Sequence, residues 1–393
     1  MPARPRGEVG LSYDPLAFYD DPYPLYRQLR DHAPVYHNSR RGVYVLSRYA
    51  DVLDAARDHA TFSSARGADV VDFSFGPGDF LDSDPPRHDQ LRQVLRQDFL
   101  PRRIRLLEEE IRQTAGGLVD VLIERGHGDF ARELAQRLPL RVLCRMLGFP
   151  DEDLGLLEDW FVRIIYRRPD QSHVPEDVAT ASAQLEPYVA AAVAERAKDP
   201  RDDILSTLAC AIAAGRLEPP EIFGLTRLLL VAGVHTTSTL LANALLHLRG
   251  RPADRQLLAA SPELIPVAIE ELLRFDAPVQ WLGRLTTREV DIHSERIPAR
   301  QRVVLLWASA NRDERRFANP DTLDLTRPAD HHVAFGQGIH CCIGAPLARL
   351  EARIALEIVL RRVRSYEITG PVERLFTHSE RGIASLPVRI EAA

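Results

Sequence analysis

The chain of 393 residues carries 50 Lys and Arg against 56 Asp and Glu, a formal charge of −6. With 45% hydrophobic and 27% charged residues it has a globular composition, which excludes wholesale disorder, and its mildly acidic balance argues against a nucleic-acid binder. Four cysteines are too few for a disulfide framework at this length, and the first residues, MPARPRGEVG, contain no apolar stretch of signal-peptide type, so a reducing, cytoplasmic setting is expected.

In chain order, residues 1–13 read as a flexible N-terminus. Ala33–His37 and Gly42–Leu46 alternate apolar and polar residues about a polar turn and predict a β-hairpin. The stretch Phe62–Pro86 is a loop with an unusual aromatic content, Phe62, Phe73, Phe75 and Phe80. His88 and Arg92 follow it four residues apart, so on a helix both reach one ligand edge. Three- and four-residue apolar spacing predicts helices through Leu106–Leu122, Leu140–Met146, Ile204–Ile212, Leu225–Leu248 and Ile265–Leu273. Tyr166–Glu176 is a polar, proline-bearing connection. Pro220 to Leu248 would make one helix of about 29 residues and about 43 Å. Its densest apolar segment, Leu228–Val234, soon meets His235, Thr236 and Thr237, and 18 apolar residues nowhere run together. Arg302–Leu306 is a further strand, and Ile383–Ile390 could add a short strand pair. Without repeats or a low-complexity linker, a single domain covering 1–393, mainly α with a small β region, fits better than two or three domains.

The most informative segment is Phe335–Arg349, FGQGIHCCIGAPLAR. Gly336, Gly338 and Gly344 permit positive φ and a close backbone approach to a bulky planar ligand. Leu347, Leu350 and Ile354 carry helical spacing onward from Cys342, which places that thiol where a helix begins. The unpaired N–H groups and positive dipole end there would stabilise a thiolate, as an anionic sulfur ligand to iron requires. A buried structural cysteine, or a vicinal Cys341–Cys342 redox pair, would leave unexplained three glycines, Phe335 upstream and His340 two residues before the thiol.

This segment resembles the cytochrome P450 haem-binding pattern F-G-x-G-x-H-x-C-x-G-x-x-L-A-R at every fixed position, and the resemblance extends from about Asp14 to the C-terminus. It implies the single-domain cytochrome P450 fold, a triangular helix-rich prism with haem b between a long central helix and the cysteine-ligand helix. Cys342 would be the iron's axial thiolate, with Phe335, Gly336 and Gly344 cradling the cofactor and His88, Arg92, Arg284 and His340 holding its propionates. Glu271 and Arg274 resemble the family's E-x-x-R structural pair, with Arg327 a third member. Asn311, Arg312 and Asp313 resemble its A-N-R-D stretch.

Ala232-Gly233-Val234-His235-Thr236-Thr237 resembles the family's oxygen-activation motif, with His235 in place of the usual acid. Three roles are open to His235: relaying protons itself, slowing delivery in favour of a peroxide-driven route, or shaping the pocket and pairing with a carboxylate elsewhere. By family position the substrate pocket would draw on Phe73, Phe75, Val231, Ala232, Thr236, Val279 and Ile383, which implies an apolar substrate. No flavin or iron–sulfur motif is present, so electrons would come from a separate ferredoxin and its reductase. That carrier would be steered by the basic cluster Arg92, Arg96, Arg102, Arg103, Arg105, Arg349, Arg353, Arg361 and Arg362. The expected activity is O2-dependent hydroxylation, dealkylation or epoxidation of a small hydrophobic molecule, with no nucleic-acid or membrane partner. The alternatives are a peroxide-driven haem-thiolate peroxygenase and a non-catalytic haem-binding or sensing protein.

Overall fold

The structure is a computed structural model and describes residues 11–17, 19–65, 68–70, 76–165, 176–376 and 379–393. Its axis is the helix Pro219–Leu248, whose 30 residues span about 45 Å. Pro219 suits the first helical position, where no amide partner is needed, and Glu218 and Glu221 form a reciprocal capping box before it. This is the one described helix long and apolar enough to cross a membrane, and 78% of its most apolar stretch is buried inside the protein.

Around it pack the helices Arg137–Leu147, Glu176–Arg196 and Ala345–Arg362, and the last of these also packs on Glu108–Arg125. Their apolar faces form one continuous core, in which Leu225, Val234, Leu240 and Leu241 of the central helix meet Leu143, Ile354 and Leu356. A five-stranded sheet flanks this bundle in the order Val35–Asn38, Val43–Leu46, Arg302–Leu305, Leu282–Thr286, Phe62–Ser63. Its first pair is the expected hairpin, in register Val35 to Leu46.

The C-terminal stretch departs from the sequence reading. Arg381–Ser385 pairs with Glu373–Phe376, whereas Pro387–Ala392 lies between His127–Asp129 and Val363–Ile368 in another sheet. Ile383–Ile390 is therefore two strands of different sheets and not a pair. Local alternation marks a strand but not its partner.

Residues 1–10 of the stretch read as flexible lie outside the described residues. At its other end Tyr13 is only 1% exposed. Phe73, Phe75 and the loop residues 166–175 also lie outside the described residues. Glu271 and Arg274, whose spacing alone would suit a solvated surface pair, are fully buried and joined by hydrogen bonds of 2.7 and 2.8 Å. Arg327 adds a third at 3.1 Å, and Arg274 also donates to the carbonyls of Asn311 and Pro320. Asn311 accepts from the Val333 amide, Asp313 from the Tyr49 amide, and the Arg312 guanidinium lies 3.5 Å from the Tyr23 ring centre. These residues brace the segment that leads into the cysteine loop.

Candidate active site

Between the central helix and the cysteine loop lies a cavity of about 320 Å³. One wall is helical, with Val231, Ala232, Gly233, His235 and Thr236. The opposite wall is the loop, with Phe335, Gly336, His340, Cys342 and Gly344. Val279 and the segment Ala68–Asp69 with Phe80–Asp82 close the remaining side. Ile383, expected here, is buried in the main core at 4% exposure and does not line the cavity. Ser379 and Glu380, from the turn just before it, do.

The loop is built to present one sulfur. The Cys342 amide donates to the Phe335 carbonyl at 2.8 Å and closes the loop at its neck. Gly336 and Gly338 adopt φ of 66° and 71°, and a Cβ on Gly338 would lie 2.4 Å from the Ala56 carbonyl, so a side chain is excluded there twice over. Gly344 does not share this conformation: its φ is −81° and it caps the helix Ala345–Arg362. The helix thus starts three residues after Cys342. The sulfur stands ahead of its N-terminus and accepts from the Gly344 and Ala345 amides.

Cys342 is exposed and lines the cavity. Burial among its neighbours pushes its thiol pKa up, while the two amides and Arg92 pull it down. A metal cation bound at the sulfur would tip that balance to the thiolate. Cys341, its neighbour, points elsewhere in function: its carbonyl accepts from the Arg92 guanidinium at 2.5 Å.

The four residues grouped as a propionate site come together. The His88 and His340 rings contact edge to face with centres 4.5 Å apart. Arg284 is 3% exposed, and with His88 and Arg92 it acts electrostatically on His340. Burial, then these positive neighbours, drive the His340 pKa down to about 2, and burial lowers that of Arg284 to about 10. His88 Nε2 and both ring nitrogens of His340 are buried without hydrogen-bond partners among the described residues. Buried polar nitrogens of native proteins are nearly always satisfied. A basic cluster with three orphaned nitrogens at the edge of a cavity fits a flat ligand carrying carboxylates, and haem has two.

On the helical wall, Thr236 Oγ donates back to the Ala232 carbonyl at 2.7 Å while the residue faces the cavity. The helix runs unbroken through this segment. Gly233 meets Leu143, which also lines the cavity, and an added Cβ would lie 3.0 Å from a Leu143 methyl. His235 is 5% exposed, and its Nδ1 is hydrogen-bonded to the carboxylate of Glu380. Of the three roles left open, the pairing with a distant carboxylate is the one the structure displays. Glu380 carries no sequence motif. The only signal that could have found it is a buried histidine at an acid's position, which calls for a partner.

A further acid, Glu351, is 1% exposed on the cysteine helix beside Thr237, and burial raises its pKa to about 8. Its apolar surroundings favour the neutral acid over the carboxylate.

The family model for cytochrome P450 matches residues 261–391, the part that carries the buried ion pair and the cysteine loop. Cytochrome P450 130 of Mycobacterium tuberculosis is 36% identical over 372 residues, 89% of this chain and 90% of that one. Cyclomarin C epoxidase CymV of Salinispora arenicola is 37% identical over 371 residues, 92% of this chain and 94% of that one. The substrate-free structure of CYP109E1 from Bacillus megaterium superposes with a TM-score of 0.88 at 29% identity, covering 95% and 99% of the two chains. The chain belongs to the cytochrome P450 family. It is a bacterial haem-thiolate monooxygenase, which binds haem b through an axial cysteine thiolate and oxidises small organic substrates with O2 and electrons from redox partners.

Proposed function

We propose that Cys342 is the axial ligand and that the chain hydroxylates an apolar small molecule, with dealkylation and epoxidation as variants of the same chemistry. The observation that carries this is the cysteine loop, which turns one sulfur into a cavity whose rim holds orphaned histidine nitrogens and buried arginines. Haem bound there supplies reductive O2 activation and the insertion of one oxygen atom into an unactivated C–H bond.

The chain's own residues divide the remaining work. Arg92, Arg284, His88 and His340 hold the propionates through charge-assisted hydrogen bonds. Gly336 and Gly338 keep side chains away from the loop backbone, and the Gly344 and Ala345 amides hold the sulfur's negative charge. Thr236 places a hydroxyl at the helical wall, where it can exchange its bond to Ala232 for one to a ligand in the cavity. Val231, Val279, Leu240 and Phe80 exclude water and favour an apolar substrate.

For electron supply we propose a ferredoxin-type carrier. Arg349, Arg353, Arg362 and Arg103 are held by Glu270, Glu108 with Glu357, Asp120 and Asp202 respectively. Arg92 is turned inward to Cys341. Among the described residues, Arg96, Arg102, Arg105 and Arg361 have no carboxylate within ion-pair distance and remain to steer an acidic carrier. Leu106, 71% exposed beside them, offers it an apolar contact. Four free cysteines accord with a reducing, cytoplasmic setting.

The test is the reduced carbon monoxide spectrum. The parent and Cys341→Ala should show the red-shifted Soret band of a thiolate-bound iron, and Cys342→Ala should lose it. Retention of that band in Cys342→Ala would overturn the assignment.

A further inference from the structure

His235 departs from the family's acid and leads to Glu380, 145 residues away. Glu380 is held in place by backbone contacts on either side of it. The Gln280 amide donates to the Ser379 carbonyl at 2.7 Å, the Arg381 amide to the Pro278 carbonyl at 2.9 Å, and Val279 and Glu380 form a β-bridge. The carboxylate is 17% exposed and forms part of the cavity wall. On the other side of the imidazole, Nε2 is buried without a hydrogen-bond partner among the described residues. A Cβ added at Gly382 would lie 3.1 Å from that nitrogen and 3.0 Å from Thr239 Oγ, so glycine lets the strand pack closely against it.

A carboxylate beside an apolar cavity is costly unless it is hydrogen-bonded, and a histidine with one orphaned nitrogen is a costly residue for packing alone. Together they hold a carboxylate at the cavity wall against the central helix. Resting on the monooxygenase reading above, we propose that Glu380 is the acid of oxygen activation, supplying from the hairpin the carboxylate absent from the central helix, with His235 as its positioning residue.

The proton balance is closed. Glu380, 17% exposed, takes up a proton from solvent and releases it into the cavity that Thr236 also faces, and so returns to the carboxylate. His235 Nδ1–H donates to that carboxylate throughout and keeps its own proton. Burial holds the His235 pKa down to about 4, so the ring is neutral near pH 7 and serves as a fixed donor to Glu380.

The experiment uses the full-length haem-loaded protein with a surrogate ferredoxin and reductase, and measures product formed per NADH consumed. Glu380→Gln and His235→Ala should each lower that ratio at least about a hundredfold, the low end for loss of a positioned proton donor. Glu380→Asp should restore most of it. His235→Asp in the Glu380→Gln background should also restore it, because it returns a carboxylate to the helix. A readout independent of turnover is the ¹⁵N shift of His235 in the ferrous carbon monoxide complex, where Glu380→Gln should move Nδ1. A smaller loss of coupling in Glu380→Gln, with Thr236→Ala uncoupled beside it, overturns the proposal, as does an unmoved Nδ1 shift. The red-shifted Soret band is a separate check: its absence from the parent would sink the haem-thiolate reading itself.

Discussion

One guanidinium nitrogen of Arg381 donates to both carboxylate oxygens of Asp276, at 2.8 and 3.0 Å, in a site where Asp276 is 1% exposed. The same carboxylate accepts from Tyr23 Oη at 2.8 Å and meets His247 Nε2 at 2.9 Å. It therefore ties the first helix, the central helix and the Glu380 hairpin to one point. Burial alone would raise this carboxyl's pKa, but Arg381, His247 and Tyr23 outweigh it and hold it well below the ordinary carboxylate range.

A pH dependence of stability follows. The unfolded aspartate takes up its proton near its ordinary value of 3.8, and the folded one only at lower pH. Between those values the unfolded state binds more protons, so the contribution of Asp276 is full above 3.8 and is lost as pH falls below it. Asp276→Asn should cost about 3–5 kcal/mol near neutrality by leaving Arg381 buried and uncompensated, and should flatten the acid limb. Urea unfolding at a series of pH values between neutrality and pH 3 checks both; an unchanged acid limb would count against it.

The propionate set can be read from haem retention. Replacing Arg92 or Arg284 by Ala removes a charge-assisted bond of about 1.5–3 kcal/mol, which should speed haem loss about 10- to 150-fold without abolishing binding. Arg92→Ala should have the larger effect, because it also frees the Cys341 carbonyl. Transfer of haem to an apo-globin acceptor measures the rate.

The buried Glu271–Arg274–Arg327 group predicts a stability loss without a direct loss of chemistry. Glu271→Ala leaves two arginines facing a vacated carboxylate site and should cost about 3–5 kcal/mol. Arg274→Lys should not rescue, since the planar fork serves Glu271 while also donating to the Asn311 and Pro320 carbonyls. Denaturant midpoints on haem-loaded protein would show it, and a midpoint equal to the parent's would refute it.

Gly224 tests the cavity roof. A Cβ there would lie 1.9 Å from the Pro77 carbonyl, and one on Gly78 would lie 2.2 Å from the Glu221 carbonyl, so the chain before Phe80 rests directly on the first turns of the central helix. Gly224→Val should displace that segment and weaken substrate binding, while the reduced carbon monoxide band stays in place. Titration of the ferric Soret shift with a bound substrate reports the difference.

Electron delivery should slow as salt rises. Reversing Arg96, Arg102 and Arg105 to Glu should lower the association rate of an acidic ferredoxin about tenfold or more. Arg349→Gln should change it less, because Glu270 already neutralises that side chain. Stopped-flow reduction at two ionic strengths separates the cases, and a salt-independent rate would refute steering.

The parts legible in the sequence were those whose chemistry is local. Gly336, Gly338 and Cys342 follow one another in a loop, and the apolar periodicity of the central helix runs through a single segment, so residue spacing alone exposes them. Glu271 and Arg274 are adjacent on one helix face, but their complete burial depends on Arg327 and on carbonyls around residue 320, which no local pattern encodes. The C-terminal strands were misjoined for the same reason: alternation is local and pairing is not. Gly344, free like Gly336 and Gly338 to adopt positive φ, instead serves as an ordinary helix cap. Glu380 was missed entirely, because its position follows from a bridge to Val279 and its significance from a histidine on another element.

The turn that bears Ser379 and Glu380 belongs to the cavity wall and also grips His235. Reshaping this turn to admit a new molecule would therefore alter more than fit. Each such redesign would also reset what fraction of the reducing equivalents ends in product and what fraction is wasted as peroxide or water. Substrate range and fuel economy are, in this enzyme, properties of the same few atoms.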